Sequence, residues 1–171
     1  MSEGTGIEVR IQLPLLERLA ALGKQELATA VETAVRLSVD EIVTNVQANK
    51  LTLGAPRYLN VRTGMGRRSI VGRTMPLTGG KVVGMFGSHL DYIAAHELGF
   101  QGAVQVRAHS RKAGKRFATV RPHERMMNMR ARRFLRDALQ EGIPDLDARL
   151  GRALSILMVT GKPPTTAQLG G

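Results

Sequence analysis

The chain has 171 residues, enough for one domain that buries roughly two-thirds of the surface of its unfolded form. A hydrophobic fraction of 43% excludes a compositionally disordered chain, and the absence of cysteine excludes disulfides and thiolate metal sites. The formal net charge of +11 predicts an acidic partner, either nucleic acid or a complementary protein surface.

The first third of the chain predicts a strand followed by helices. Residues 7–13 alternate apolar and polar side chains, which is the pattern of a half-buried strand. Pro14 suits the first turn of a short helix that ends at Leu22. From Lys24 to about Asn49 an apolar stripe predicts a long amphipathic helix. The stripe consists of Leu27, Val31, Ala34, Val35, Ile42 and Val46. A second apolar strip of Leu37, Val39 and Val43 indicates a broad core face or a surface for a neighbouring subunit.

The middle of the chain predicts antiparallel strands. Residues 51–66 are rich in Gly and Pro and indicate a long connection, in which Thr63-Gly64 permits a tight turn into a strand that starts at Arg68. Short β-rich runs follow, and they predict a sheet of four or five strands. They cover residues 68–75, 81–87, 103–109 and 117–121. We interpret residues 109–116 as a basic loop between the last two strands.

The last third of the chain predicts two helices and a tail. The first helix covers residues 131–141, Gly142 and Pro144 interrupt it, and a second begins at Asp145. Residues 159–171, rich in Pro, Thr and Gly, indicate a tail that is flexible unless a partner orders it. The predicted fold is α+β, with a long N-terminal helix and C-terminal helices packed on a mostly antiparallel sheet. We expect a single domain over residues 1–158.

The sequence offers little support for catalysis or metal binding. A zinc-protease helix beginning at His96-Glu97 would need a second His at position 100, which is Phe. A small hydrolase or nuclease that uses Asp91, His96 and Glu97 stays an alternative. We expect no catalytic residue, no cofactor and no metal. The chain has no signal-peptide pattern and no apolar run of membrane-spanning length, so we expect synthesis in a cytoplasm.

The positive charge is concentrated in the middle of the chain. Residues 50–136 contain 18 Lys or Arg but only Asp91, Glu97 and Glu124 as acids. The stretch 107–136 is denser, with 11 basic residues and one acid. Two interpretations stay open: a face used in subunit contact, and sequence-independent binding of DNA, since no helix-turn-helix or zinc pattern is present. The candidate contact residues are Arg107, Arg111, Lys112, Lys115, Arg116, Arg121, Arg132 and Arg133.

Three short motifs carry a resemblance to a known family. The first is Ala55-Pro56 followed by VRTGMGRRSI at 61–70, the second is Val83-Gly84 leading into YIAAHELG at 92–99, and the third is ARRFLRDAL at 131–139. In this order, after an amphipathic helix, they resemble the tail-completion or tail-component family of lambda-like siphophages. The resemblance covers roughly residues 7–158. The sequence departs from the family pattern at Met65-Gly66, Phe100 and Arg133.

The resemblance implies a structural protein of a virion rather than an enzyme. Its expected place is the neck at the head-tail junction, as a homo-oligomeric ring for which six copies is the natural number. Expected partners are other neck or tail proteins, with duplex DNA passing through and no membrane, and a tail terminator of the same region is the alternative. We expect Glu97 to pair with Arg67 or Arg68. Phe134 and Leu135 are expected to anchor the last helix. The motif residues given a structural role are Thr63, Gly64, Arg67, Arg68, Ser69, Tyr92, Glu97, Gly99, Phe134 and Leu135.

Overall fold

The computed structural model describes residues 7–12, 25–52, 58–59, 63–78, 81–113 and 116–170. Its strands are β1 (Ile7–Gln12), β2 (Val71–Thr78), β3 (Lys81–Ser88), β4 (Phe100–Val106), β5 (His109–Ala113), β6 (Arg116–Val120) and β7 (His123–Met129). Its helices are α1 (Gln25–Asn45, continued by a π-helical turn, Val46–Lys50), α2 (Met65–Ser69), α3 (Asp91–Leu98), α4 (Phe134–Thr160) and α5 (Thr166–Leu169). The α+β class with antiparallel sheets is confirmed. The predicted helix at 14–22 and half of the 51–66 connection lie outside the described residues.

Helix α1 lies across a three-stranded antiparallel sheet of order β1-β3-β2. Val39 of α1 meets the sheet at Gly84, where an added Cβ would come within 2.7 Å of the valine side chain. The missing side chain on β3 therefore lets the helix approach the sheet closely. The predicted apolar stripe of α1 is buried, and Val39 from the second strip is buried with it. The broad core face is thus the correct interpretation for Val39.

Helix α4 runs beside α1 as one continuous helix of 27 residues with Pro144 inside it. The predicted interruption at Gly142 and Pro144 is wrong. A Cβ on Gly142 would lie 2.6 Å from the Ile42 side chain, so the glycine allows the two helices to touch rather than ending one of them. The apolar face predicted for this region is correct, because Phe134, Leu135 and Leu146 are buried.

Strands β4 to β7 form one long antiparallel hairpin. The pairing of β4 with β7 runs from Phe100 opposite Met129 to Val106 opposite His123, and the β5–β6 pairing resumes at His109 opposite Val120. Three steps separate these pairs on each strand, so the register continues without an inserted residue. We call residues 100–129 the arm. The predicted basic loop at 109–116 is wrong, since 109–113 is a strand of the arm, and the sequence did not predict β7. The described strands number seven in three sheets, where four or five were expected in one.

The C-terminal segment docks on the helices. Leu169 of α5 is completely buried with Ala30, Ala34 and Ala153. Thr165 and Gln168 form a capping box at the start of α5, in which the Thr165 backbone N–H donates to the Gln168 side-chain oxygen at 2.8 Å. The segment predicted to be flexible therefore has a packed position in the structure.

Candidate functional site

Glu97, near the end of α3, holds the beginning of α4 in place. Its two carboxylate oxygens accept hydrogen bonds from the backbone N–H groups of Leu135 at 2.9 Å and Arg136 at 3.0 Å. The first N–H groups of a helix have no acceptor within the helix, so the carboxylate replaces a local capping residue. The expected ion pair of Glu97 with Arg67 or Arg68 is wrong, because the partners of this carboxylate are backbone amides.

Burial dominates the electrostatics of Glu97. The residue is only 4% exposed, and this desolvation raises the pKa of its carboxyl above the ordinary value. Hydrogen bonds from the Leu135 and Arg136 amides act in the opposite direction, and the nearby Asp137 charge adds to the rise. The chain therefore keeps a carboxyl in an environment that disfavours its charge, where it serves helix α4.

Backbone hydrogen bonds extend the contact between α3 and α4, and we call the contacting residues, 96–99 with 131–136, the clamp. The N–H groups of Arg132 and Arg133 donate to the carbonyl oxygens of His96 at 2.9 Å and Glu97 at 3.2 Å. Gly99 has φ of 83°, and an added Cβ would lie 2.9 Å from the backbone nitrogen of Ala131. A side chain at position 99 is therefore excluded both by conformation and by space. The second and third motifs of the sequence are thus one packed structural unit.

The described part of the first motif, residues 63–70, packs against the second motif through α2. Gly64, with φ of 73°, turns the chain into α2, and the strand predicted from Arg68 starts only at Val71. An added Cβ on Gly66 would lie 2.9 Å from the Tyr92 hydroxyl. This part of the motif is therefore a helical turn packed on α3, where a strand was predicted.

A buried hydroxyl pair fixes the end of this turn. The Ser69 and Ser88 hydroxyl oxygens lie 2.7 Å apart, and the Leu90 backbone N–H donates to Ser88 Oγ at 3.0 Å. Arg67 and Arg68 are exposed on α2, and the Met65 N–H reaches the Thr63 hydroxyl at 3.4 Å. Within α2 Ser69 therefore has the buried structural role, while Arg67 and Arg68 face solvent.

Two basic side chains that the sequence prediction missed are buried between α1 and α4. Lys50 is 3% exposed, and its ammonium donates to Glu141 at 2.8 Å and lies 4.7 Å from the centre of the Tyr58 ring. The guanidinium of Arg149 donates to Glu41 and to the Ser38 hydroxyl, each at 2.8 Å.

The sequence did contain a signal for both residues. Lys50 stands four positions after the buried Val46, and Arg149 stands three after the buried Leu146. A charge on an apolar helical face needs a buried partner. These two positions therefore indicated an ionic contact between helices, although not which acids complete it.

The eight predicted contact residues divide into several groups. Arg107, Lys112, Arg116 and Arg121 are exposed on the arm, which agrees with their candidate role. Arg111 lies in β5 but its side chain is outside the described residues, and so is Lys115. Arg133 is exposed just before α4. Arg132 is half-buried and donates to the Tyr58 carbonyl oxygen, so its guanidinium belongs to the packing around the clamp rather than to a free basic face.

The three candidate catalytic residues lie on α3 in different surroundings. Both Glu97 oxygens are occupied by backbone donors, and Asp91 is exposed in the first turn of α3. Burial, and secondarily the Arg132 charge, lowers the pKa of His96. Over the described parts of the chain, His, Asp and Glu side chains form no group of three suited to a metal ion. No helix among the described residues is long and apolar enough to cross a membrane.

Comparison of the chain with protein-family models, curated proteins and solved structures found no match.

Proposed function

We propose that this chain is a structural virion protein of a tailed bacteriophage, a tail-completion component of the neck at the head-tail junction. It acts by assembling into a homo-oligomeric ring and by contacting other neck or tail proteins. The proposal includes no catalytic step, cofactor or metal.

One observation carries the proposal: the described parts of the three motifs behind the family resemblance pack in succession on one another. The turn at Gly64 places Gly66 on Tyr92 of the second motif. Glu97 at the end of that motif then caps the helix that begins with Phe134 in the third. Each motif is short, and chance similarity would give them no reason to share contacts. Their mutual packing supports the interpretation that they are parts of one scaffold.

The arm supports a role in assembly. It carries the exposed cations Arg107, Lys112, Arg116 and Arg121, and none of its described side chains is buried. A two-stranded ribbon is at best marginally stable alone in water, so an arm of this kind favours a partner that covers it.

The decisive experiment removes the gene from the phage that encodes it and examines the particles by electron microscopy. We expect unjoined heads and tails, restored by the wild-type chain supplied from a plasmid. A Glu97→Ala chain should restore fewer joined particles, while Gly151→Ala, at an open position of α4, serves as the matched control. Normal virions without the chain would refute the proposal, and tails of irregular length would favour the terminator alternative.

Sequence-independent DNA binding is the second candidate, and the exposed cations of the arm favour it. If phosphates are the target, affinity for a 30-base-pair duplex should fall linearly with log salt, with a slope near −0.9 per neutralised phosphate. Replacing Lys112 and Arg116 with Ala should make that slope less negative by about two. No binding at 50 mM salt would remove this candidate.

A further inference from the structure

The arm presents more than positive charge. Phe117 near its tip is 78% exposed and Met126 on β7 is 72% exposed. Among the 30 residues of the arm, seven are Lys or Arg and one, Glu124, is acidic. Exposed aromatic, Met and Arg side chains together are enriched at protein interfaces, whereas a phosphate-binding ribbon needs only the cations. The composition favours a protein partner with an acidic face.

The same chain has an acidic face on two other elements, helices α1 and α4. A cleft of about 350 Å³ lies between α1 and α4, lined by Glu41, Glu141, Asp145, Thr44 and Asn49 among others. The residues of α1, its π-helical turn and α4 include eight acids and five bases. The two helices are therefore acidic in a chain that is otherwise strongly basic.

Two ion pairs present their acidic ends to solvent in this cleft. The side chains of Glu41 and Glu141 are each 53% exposed, while their partners Arg149 and Lys50 are 9% and 4% exposed. Each carboxylate thus faces solvent with its counter-ion behind it. Asp145 at the rim is exposed as well.

We propose that the arm of one copy docks in the α1–α4 cleft of a second copy, with its cations against these carboxylates and Phe117 covered in the contact. This inference rests on the proposed ring-forming role and identifies its contact surfaces. Because arm and cleft are different surfaces, the contact is heterologous: each copy gives one arm and receives one, which closes a ring when the rotation permits.

The test reverses charge on each surface separately. The arm variant is Lys112→Glu with Arg116→Glu, and the cleft variant is Thr44→Lys with Asp145→Lys; all four side chains are exposed. Lys162→Glu, an exposed reversal outside both surfaces, is the control. Self-association is measured by sedimentation velocity on nuclease-treated protein in 50 mM and 500 mM salt, with circular dichroism to verify folding.

We expect each variant alone to associate at least about tenfold more weakly than wild type, equivalent to about 1.4 kcal/mol. A mixture of the two should recover association, because the reversed arm matches the reversed cleft and the native arm matches the native cleft. The control should behave as wild type, and high salt should weaken the wild-type complex.

Three results would overturn the inference. Wild type that associates normally with neither variant impaired would refute the arm–cleft contact while leaving the neck proposal to the micrographs. An arm reversal that abolishes binding of duplex DNA but leaves self-association intact would assign the arm to DNA. A wild-type chain that stays monomeric at 100 µM and 50 mM salt would contradict both the contact and a ring built from this chain alone.

Discussion

Replacing Glu97 tests whether a distant carboxylate stabilises helix α4. Glu97→Ala leaves the Leu135 and Arg136 N–H groups without their acceptors, and an unsatisfied buried donor costs roughly 1–3 kcal/mol. Because Arg136 is exposed and water can reach its amide, we expect a total loss of about 2–4 kcal/mol. Glu97→Gln keeps one acceptor oxygen, so its loss should be about half as large.

The assay is equilibrium unfolding in urea, with the free energy of unfolding taken from fits that allow the slope to vary. Glu124→Ala, which removes an exposed carboxylate from β7, is the control and should change stability by less than about 0.5 kcal/mol. A Glu97→Ala protein as stable as the control, or a Gln variant less stable than the Ala variant, would refute the capping argument.

Burial raises the pKa of Glu97, so protonation of its carboxyl adds stability to the folded chain; this contribution is fully present below the ordinary pKa of 4.5 and is lost as pH rises through the raised pKa, while the capping hydrogen bonds remain. The stability of wild type relative to Glu97→Gln should therefore grow as pH falls from 7 to 4.5 in urea titrations, and a constant difference would contradict this. Gly142→Ala should lower the free energy of unfolding by about 1–3 kcal/mol, because the added methyl group would clash with Ile42. Gly151→Ala, with no atom near its Cβ position, should raise it by about 0.5–1 kcal/mol. Thermal unfolding of the two variants checks both values, and equal shifts would show that the helices do not touch at Gly142. Leu169→Ala should lower the free energy of unfolding by about 2–3 kcal/mol, because the leucine side chain is buried against α1 and α4. Urea unfolding measures this loss, and an unchanged midpoint would mean that the C-terminal segment is not docked.

The helices were predictable because their signals are local. The stripe from Leu27 to Val46 repeats with the helical period, and the structure buries it as one face. The error at Gly142 and Pro144 has a physical origin: glycine marks helix ends, but it also marks places where two helices come into contact. Only the neighbouring Ile42, 100 residues earlier in the chain, distinguishes these meanings.

The strands and the clamp were harder to predict because their partners are distant. Strand β7 is rich in Met rather than β-branched residues, and its pairing with β4 follows from the hairpin rather than from its own composition. The sequence showed Glu97 as an isolated acid, but its hydrogen-bond donors are main-chain amides, which every residue type except proline has. The surplus of positive charge predicted an arginine as the partner of Glu97, whereas in the structure backbone N–H groups of α4 donate to it.

The unbroken register of the arm limits how its length can vary. The register is the same in the β4–β7 and β5–β6 pairings, so a residue inserted in one strand alone would turn every side chain beyond it to the opposite face. Length could change while the faces are kept only by matched additions, two residues in each strand, which extend the ribbon by about 7 Å per step. Related chains with arms of different reach should therefore differ by multiples of four residues in this segment.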